Sequence, residues 1–344
     1  LNRKKSWPVG RSGSPNEDNI KPLRISAERP GDSRASRGFV WLFSAKIPGM
    51  TLHRSYLKSR LIYVAAMGVV VSLIASVPGE ARQEGFERWQ STERWVIQNG
   101  RIAPWAPPGF EASRTSALRG QTLRFDGNRV AGPAPLACSN VLSEFVVSPA
   151  EGLFEGSLPA PANQSARALG IASLPVLTWR VTCDIGSFDY HLTAARSAML
   201  GLDNQVWTLT QQQRSESPET AVLDFLRTHM TRDMAFQKAS VAQKRDMITD
   251  SLQREINAYF ARPFPKDEPP PINGDPFTYS QEYPTSFVLG KAVIQGAAAE
   301  VATRFSDGVR TRVVIFRMQR SGSSWRLDDL KYEDGSTFRQ LLKA

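Results

Sequence analysis

Leu177-Thr178-Trp179-Arg180-Val181-Thr182-Cys183, then Asp184-Ile185-Gly186-Ser187, then Phe188-Asp189-Tyr190-His191-Leu192-Thr193, reads as two strands joined by a turn. Leu177, Trp179, Val181 and Cys183 alternate with Thr178, Arg180 and Thr182. A period of two sends successive side chains to opposite faces, so the first set faces a core and the second faces water. Phe188, Tyr190 and Leu192 alternate in the same way with Asp189, His191 and Thr193, which places His191 on the polar face. Asp184 to Ser187 has hairpin-turn composition.

Further strands are predicted on both sides of this hairpin, at 121–129, 144–147, 153–158 and 199–209. Pro104, Pro107, Pro108, Pro133, Pro135, Pro149 and Pro159 fall between them, where a missing backbone donor costs no ladder bond. No helical stripe of three turns interrupts the region. Many short strands with regular turns predict an all-β fold, a small antiparallel barrel, over residues 84–213. The tryptophans Trp89, Trp95, Trp105, Trp179, Trp207 and Trp325 are spread through these strands and beyond, as core residues are.

The polar stretch Gln211 to Ser217 has linker composition, and after it the hydrophobic period changes. Ser217 can cap a helix that begins at Pro218, with Glu219 in its first turn. Val222, Phe225, Leu226 and His229 fall on one face of that helix. A second helix is predicted over 240–260, with Ile248, Leu252, Ile256, Tyr259 and Phe260 as its apolar stripe. Pro263, Pro265 and Pro269 to Pro271 end the helical region. Strands follow at 287–295, 298–305, 310–319 and 325–332, with Asp307-Gly308 and Ser321-Gly322 as hairpin turns. Residues 217–344 are therefore expected as a second domain, an α+β cone with helices packed on a curved antiparallel sheet.

Within that order of elements, Asp275-Pro276-Phe277-Thr278-Tyr279-Ser280-Gln281-Glu282-Tyr283-Pro284-Thr285-Ser286 and Trp325-Arg326-Leu327-Asp328-Asp329-Leu330 carry a resemblance. Residues 217–344 resemble exported bacterial domains of unknown function with the cystatin-like cone fold of nuclear transport factor two. The resemblance implies a fold and no particular activity. The first domain is similar to lipocalin-like or lysozyme-inhibitor-like β-barrels of the bacterial envelope, without a defining motif. A cone of this kind can hold a carboxylate and a tyrosine in an apolar pocket at its open end, and Asp275, Tyr279, Tyr283 and Asp328 are the candidates. Tyr279, Tyr283 and Trp325 would give that pocket an aromatic lining. Asp275-Pro276 also reads as an ordinary turn starter, solvated rather than buried, so no catalytic residue is assigned.

The chain of 344 residues carries a net charge of +10, which invites a nucleic-acid reading until the charges are located. Of 43 Lys and Arg and 33 Asp and Glu, 13 and 5 lie in residues 1–81, leaving 30 and 28 for the remainder. The body is nearly neutral, and no nucleic-acid partner is expected. Residues 1–49 are rich in Arg, Ser, Pro and Gly and read as a disordered extension that translation from Met50 would omit. Residues 50–81 have the pattern of a signal peptide. His53, Arg54, Lys58 and Arg60 precede 17 uncharged residues, Leu61 to Val77, and Gly79-Glu80-Ala81 supplies small residues for cleavage. A membrane anchor, retained if cleavage fails, is the alternative, because 17 residues is the lower edge of a spanning helix. The expected location is periplasmic or secreted. In that compartment Cys138 and Cys183, the two cysteines of the chain, are expected to form a disulfide.

The sequence contains no glycine-rich phosphate loop, Cys-x-x-Cys, His-Glu-x-x-His or Gly-x-Ser-x-Gly. Only His191 and His229 remain after the signal, too few for a histidine-based zinc site, so neither a metal nor a cofactor is expected. The leading expectation is an exported envelope protein, a non-enzymatic module that binds a small ligand or an envelope protein. An inhibitor of a wall-degrading enzyme is the first alternative, and a small-pocket isomerase or dehydratase the second. A rigid protruding loop near the disulfide would favour the inhibitor. An enclosed pocket with two convergent polar groups would favour the enzyme.

Overall fold

The structure, a computed structural model, describes residues 86–111, 117–213, 216–263 and 270–344. The extension expected at 1–49, the signal expected at 50–81, and Pro265 and Pro269 lie outside the described residues. The described residues belong to one compact unit. No described helix is long and apolar enough to cross a membrane.

The first half supplies β1 (Arg94–Ile102), β2 (Thr122–Asp126), β3 (Arg129–Ala131), β4 (Cys138–Ser139), β5 (Leu142–Ser148), β6 (Val176–Cys183), β7 (Gly186–Ala194), β8 (Ser197–Leu202) and β9 (Gln205–Gln213), with a short helix α1 (Ala162–Ala168). The second half supplies α2 (Pro218–Met230), α3 (Lys238–Ala242), α4 (Asp250–Ala261), β10 (Ser286–Leu289), β11 (Val293–Gln295), β12 (Ala298–Ser306), β13 (Thr311–Ser321), β14 (Ser324–Lys331) and α5 (Phe338–Leu341). All strands belong to one antiparallel sheet in the order β14-β13-β12-β10-β5-β6-β7-β8-β9-β1-β2-β3-β4, with β11 attached to β12.

This order corrects two expectations. The predicted boundary at 213/217 falls inside one sheet and one hydrophobic core, because β5 pairs with β10 through Phe145↔Phe287 and Ser286↔Val146. The barrel expected over 84–213 is not a closed ladder, for the same reason. The two edges of β5 are taken by β6 and β10, so β4 has no strand to close against and the path stays open at both ends. A covalent link acts where a ladder does not. Cys138 on β4 and Cys183 at the end of β6 form the expected disulfide, with Cα atoms 6.1 Å apart. Beside it Ser139 and Asp184 exchange hydrogen bonds of 2.9 and 3.2 Å. A cross-link spanning 45 residues limits the unfolded chain by about 4 kcal/mol in the chain-entropy model.

The central hairpin forms as expected, with Trp179 opposite Tyr190, but its turn is only Asp184-Ile185, because Gly186 and Ser187 pair with Cys183 and Thr182. Its second face is not solvated, however. The segment expected as a strand at 153–158 is instead a kinked 3₁₀ turn over Ala150–Gly156, in which Phe154 and Glu155 take left-handed φ of 51° and 56°. With α1 it lies over the far side of β6 to β9, and Leu153, Phe154, Leu169, Ile171, Val176, Met199 and Val206 form a second small core there. Thr178 and His191 are buried as a result.

The predicted cap of α2 is present, since Ser217 Oγ accepts the Thr220 N–H while Thr220 Oγ1 accepts the Ser217 N–H. Val222, Phe225, Leu226 and His229 are buried as the helical spacing requires. The helix predicted over 240–260 is broken into α3, a single 3₁₀ turn at Arg245–Met247, and α4. Thr249 explains the break. Its Oγ1 accepts the Leu252 N–H and caps α4, and its own N–H donates to Leu327 O on β14. The strand predicted over 287–295 is likewise split at Gly290, where a Cβ would stand 2.8 Å from Ala302 O. The helices α2 and α4 pack against β14, and α2 also against β12.

Because β5 and β10 complete each other, fragments 84–213 and 217–344 expressed separately are expected to lack cooperative thermal transitions. Mixed, they should regain one. Two independent transitions at the temperatures of the intact chain would restore the boundary.

Candidate functional site

The five residues singled out as a possible pocket are not brought together. Asp275, placed by its Pro276 neighbour as a solvated turn residue, has a side chain with 0% exposure. Its Oδ1 accepts the Phe277 N–H at 2.9 Å, and its Oδ2 accepts from Thr278 Oγ1 at 2.5 Å and His229 Nε2 at 2.8 Å. Main-chain bonds between Asp275 and Ser280, 2.7 and 3.1 Å, close the segment into a loop. Gly274 is required at its entrance, because φ is +115° and a Cβ would meet Ser280 O at 2.6 Å. The loop is thus held by its carboxylate. Burial is tolerable there because three donors replace the lost water.

Tyr279 sits on the outside of this loop with φ +52°. Its ring stacks on Tyr332 at 4.2 Å and its hydroxyl donates to Asp334 Oδ2 at 2.7 Å. That carboxylate holds the phenol protonated and pushes its pKa up. Tyr332 is pushed up further by burial and donates to Pro276 O at 3.0 Å. Asp328 belongs to a different place, where it accepts from Thr249 Oγ1 and Arg339 Nη2 and ties α4 and α5 to β14. Trp325, at the start of β14, lines a separate groove beside Arg196 and Met247. Tyr283 is 51% exposed and lines neither groove.

What does lie at the loop is an open groove of about 430 Å³. Asn273, Gly274, Asp275, Tyr279, Gln281 and Glu282 line it together with Arg310, just before β13, and Arg312 on β13. Beneath it are the two groups that spacing alone did not connect, His229 and Lys244. His229 has 0% side-chain exposure, and its Nδ1 has no hydrogen-bond partner among the described residues. Phe225 and Phe277 pack against the imidazole, with centroids 6.0 and 5.0 Å away. An aspartate that orients a histidine is half of a nucleophile-activating triad. Here the other half is aromatic rings, so the pair fastens the 275–280 loop to α2. Lys244 is 1% exposed, with its ammonium 5.9 Å from the Phe277 ring centroid. Burial lowers its pKa, and the Asp275 charge opposes that shift.

The second histidine is a separate network. His191 Nε2 accepts the Phe154 N–H at 2.9 Å, so that nitrogen carries no proton. The neutral ring then has its proton on Nδ1 and donates to Thr178 Oγ1 at 2.8 Å, and Thr178 donates to Ser148 Oγ at 2.8 Å. Burial lowers the pKa of His191 to about 4, with Asp189 opposing the shift and Arg180 adding to it. The left-handed backbone at Phe154 is thereby pinned to the sheet. Among the described residues one group has metal-like spacing, Cys138, Cys183 and Asp184, but the disulfide consumes both sulfurs.

The burial of His229 was legible, since it shares a helical stripe with Val222, Phe225 and Leu226. That of His191 was not, because the covering segment at 150–156 gives no strand or helix period.

Two measurements test these assignments. Asp275→Ala leaves His229 buried without its partner and is expected to lower unfolding free energy by roughly 3–5 kcal/mol in urea titration. A loss under about 1 kcal/mol would show the pair contributes little. For His191, the folded pKa lies below the unfolded value, so the unfolded chain binds the extra proton as pH falls. Its stabilisation is complete above about pH 6.5 and is lost towards pH 4, by on the order of 3 kcal/mol. His191→Gln should remove that part of the acid dependence.

Comparisons with protein-family models, with curated proteins and with solved structures returned no match to this chain.

Proposed function

We propose that this chain is an exported envelope protein that binds a small ligand or a protein segment in the groove over the 275–280 loop, without converting it. The observation that carries this reading is that the one histidine–carboxylate pair at the groove is spent on structure, with Asp275 hydrogen-bonded to His229, Thr278 and the Phe277 N–H. The groove presents Asn273, Tyr279, Gln281, Glu282, Arg310 and Arg312, whereas Asp275, which also lines it, and its partner His229 have side chains with 0% exposure. Amides, a tyrosine ring and guanidinium groups recognise polar ligands by hydrogen bonding and stacking. Export is supported by the signal pattern at 50–81 and by the disulfide, a bond that persists in oxidising compartments. The packing of α2 and α4 on β12 to β14 supports a cone-like second half. The Cys138–Cys183 staple and the 4.3 Å approach of Phe125 on β2 to Trp179 on β6 support a barrel-like first half.

One observation favours a second reading, inhibition of a wall-degrading enzyme. The β6–β7 turn is braced by the disulfide and the Ser139–Asp184 bonds, and it carries Ile185, 54% exposed, at its tip. A rigid tip with an apolar side chain inserts into a cleft at little entropic cost.

A thermal-shift screen of sugars, peptides and wall fragments tests the first reading. It is expected to find a ligand whose affinity falls about tenfold in Gln281→Ala/Arg312→Ala and which is recovered unchanged. Conversion of that ligand by the wild-type chain would replace binding with catalysis. Capture of a wall hydrolase that Ile185→Asp abolishes would favour the inhibitor.

A further inference from the structure

A second groove, remote in sequence from the 275–280 loop, has a different chemistry. It encloses about 620 Å³ between the end of α1, the loop at 172–175, the end of β7 and the C-terminal turn of α2. Arg167, Arg227 and Arg232 line it together with Ser173, Thr193 and Thr228, and no Asp or Glu does so among the described residues. Composition does not explain this grouping, since residues 82–344 carry 30 basic and 28 acidic side chains.

The three arginines differ in what they do for the fold. Arg227 is placed by it, donating from Nη1 to Ala194 O at 3.1 Å and from Nη2 to Asp224 Oδ1 at 3.2 Å. Arg167 and Arg232 are exposed and make no ion pair among the described residues. Asp233, the nearest carboxylate in sequence to Arg232, is engaged with Ser240, Gln237 and the Ala235 N–H. The carbonyl of Arg227 near the end of α2 accepts from Thr231 Oγ1 at 2.7 Å and from the Thr231 N–H at 3.2 Å, which offsets part of the negative end of the helix. Asp224 compensates Arg227, which leaves Arg167 and Arg232 as the uncompensated charges of this concave surface, and an anion neutralises them. Guanidinium groups bind phosphate and carboxylate oxygens through paired N–H donors.

We propose that this groove is a binding site for a small polyanion bearing at least two phosphate or carboxylate groups. Arg227 supplies a fixed anchor, and Arg167 and Arg232 close on the charged groups from opposite walls. The hydroxyls of Ser173 and Thr228 provide neutral hydrogen bonds between them. A groove of about 620 Å³ has room for far more than a single phosphate, which is why the ligand is taken as multiply charged.

Calorimetric titration with tripolyphosphate and, separately, with citrate tests the proposal at fixed ionic strength, and the two arms distinguish phosphate from carboxylate. Three chains are compared: wild type, Arg167→Ala/Arg232→Ala, and Arg310→Ala/Arg312→Ala. Saturable binding of at least one probe is expected, weakened about tenfold or more in the first variant and unchanged in the second. No saturable binding to wild type overturns the proposal. So does equal weakening in both variants, which marks diffuse attraction, or weakening in the second alone, which assigns the anion to the groove over the 275–280 loop. Circular dichroism confirms folding, since neither Arg167 nor Arg232 holds a structural contact.

Discussion

A row of five aromatic residues, Phe305, Phe287, Phe145, Trp179 and Tyr190, crosses five adjacent strands from β12 to β7. Each stands directly opposite the next, and successive ring centroids lie 6.0, 5.1, 6.2 and 5.8 Å apart. All five are buried. Directly opposed residues in antiparallel strands share a face, so the row lies wholly on the core side. Burying a ring of this size contributes about 1.5–3 kcal/mol, and an aromatic pair adds about 0.5–1.5 kcal/mol. The pair in the middle, Phe145 and Phe287, comes from the two halves of the chain. It joins a strand-rich first half to a helix-and-strand second half, and the single core follows from that junction.

Once β5 and β10 are paired, other features are obliged. The first half cannot close on itself through β5, and the disulfide with the Ser139–Asp184 bonds holds its edge instead. The far face of β6 to β9 needs cover, and the left-handed turn at Phe154 and Glu155 with α1 provides it. That cover puts His191 in a dry place, where a neutral imidazole with two hydrogen-bond partners is the form the site accepts. In the second half, α2 lies on the same sheet, and His229 on its buried face meets the Asp275 carboxylate. Two histidines are therefore absorbed by architecture.

The same economy shapes the surface. Both histidines lie inside, engaged with loops they hold in place. The open grooves are lined by arginine, amide, hydroxyl, tyrosine and carboxylate groups, which suit recognition of polar ligands. Their positions come from loops and element ends, held by a rigid sheet.

The periodicity and capping signals were sufficient for some of the local structure. The central hairpin, the Ser217 cap, the α2 stripe and the three C-terminal strands depend on contacts between residues near in sequence, and those contacts are written in neighbouring side chains. The pairing of Cys138 with Cys183 was also legible, since two cysteines allow one intramolecular bond. Nothing local says which strand lies beside β5, because Phe145 and Phe287 are apolar residues in strands that would suit many partners. Nothing local says that the 150–156 segment covers His191, or that a carboxylate before proline is buried under three donors rather than solvated. Burial of a polar side chain depends on what packs over it from elsewhere in the chain. Sequence determined the elements whose period and caps are local, and tertiary packing decided the breaks at Thr249 and Gly290, the turn at 150–156, the single sheet, the fate of both histidines and the placing of the grooves.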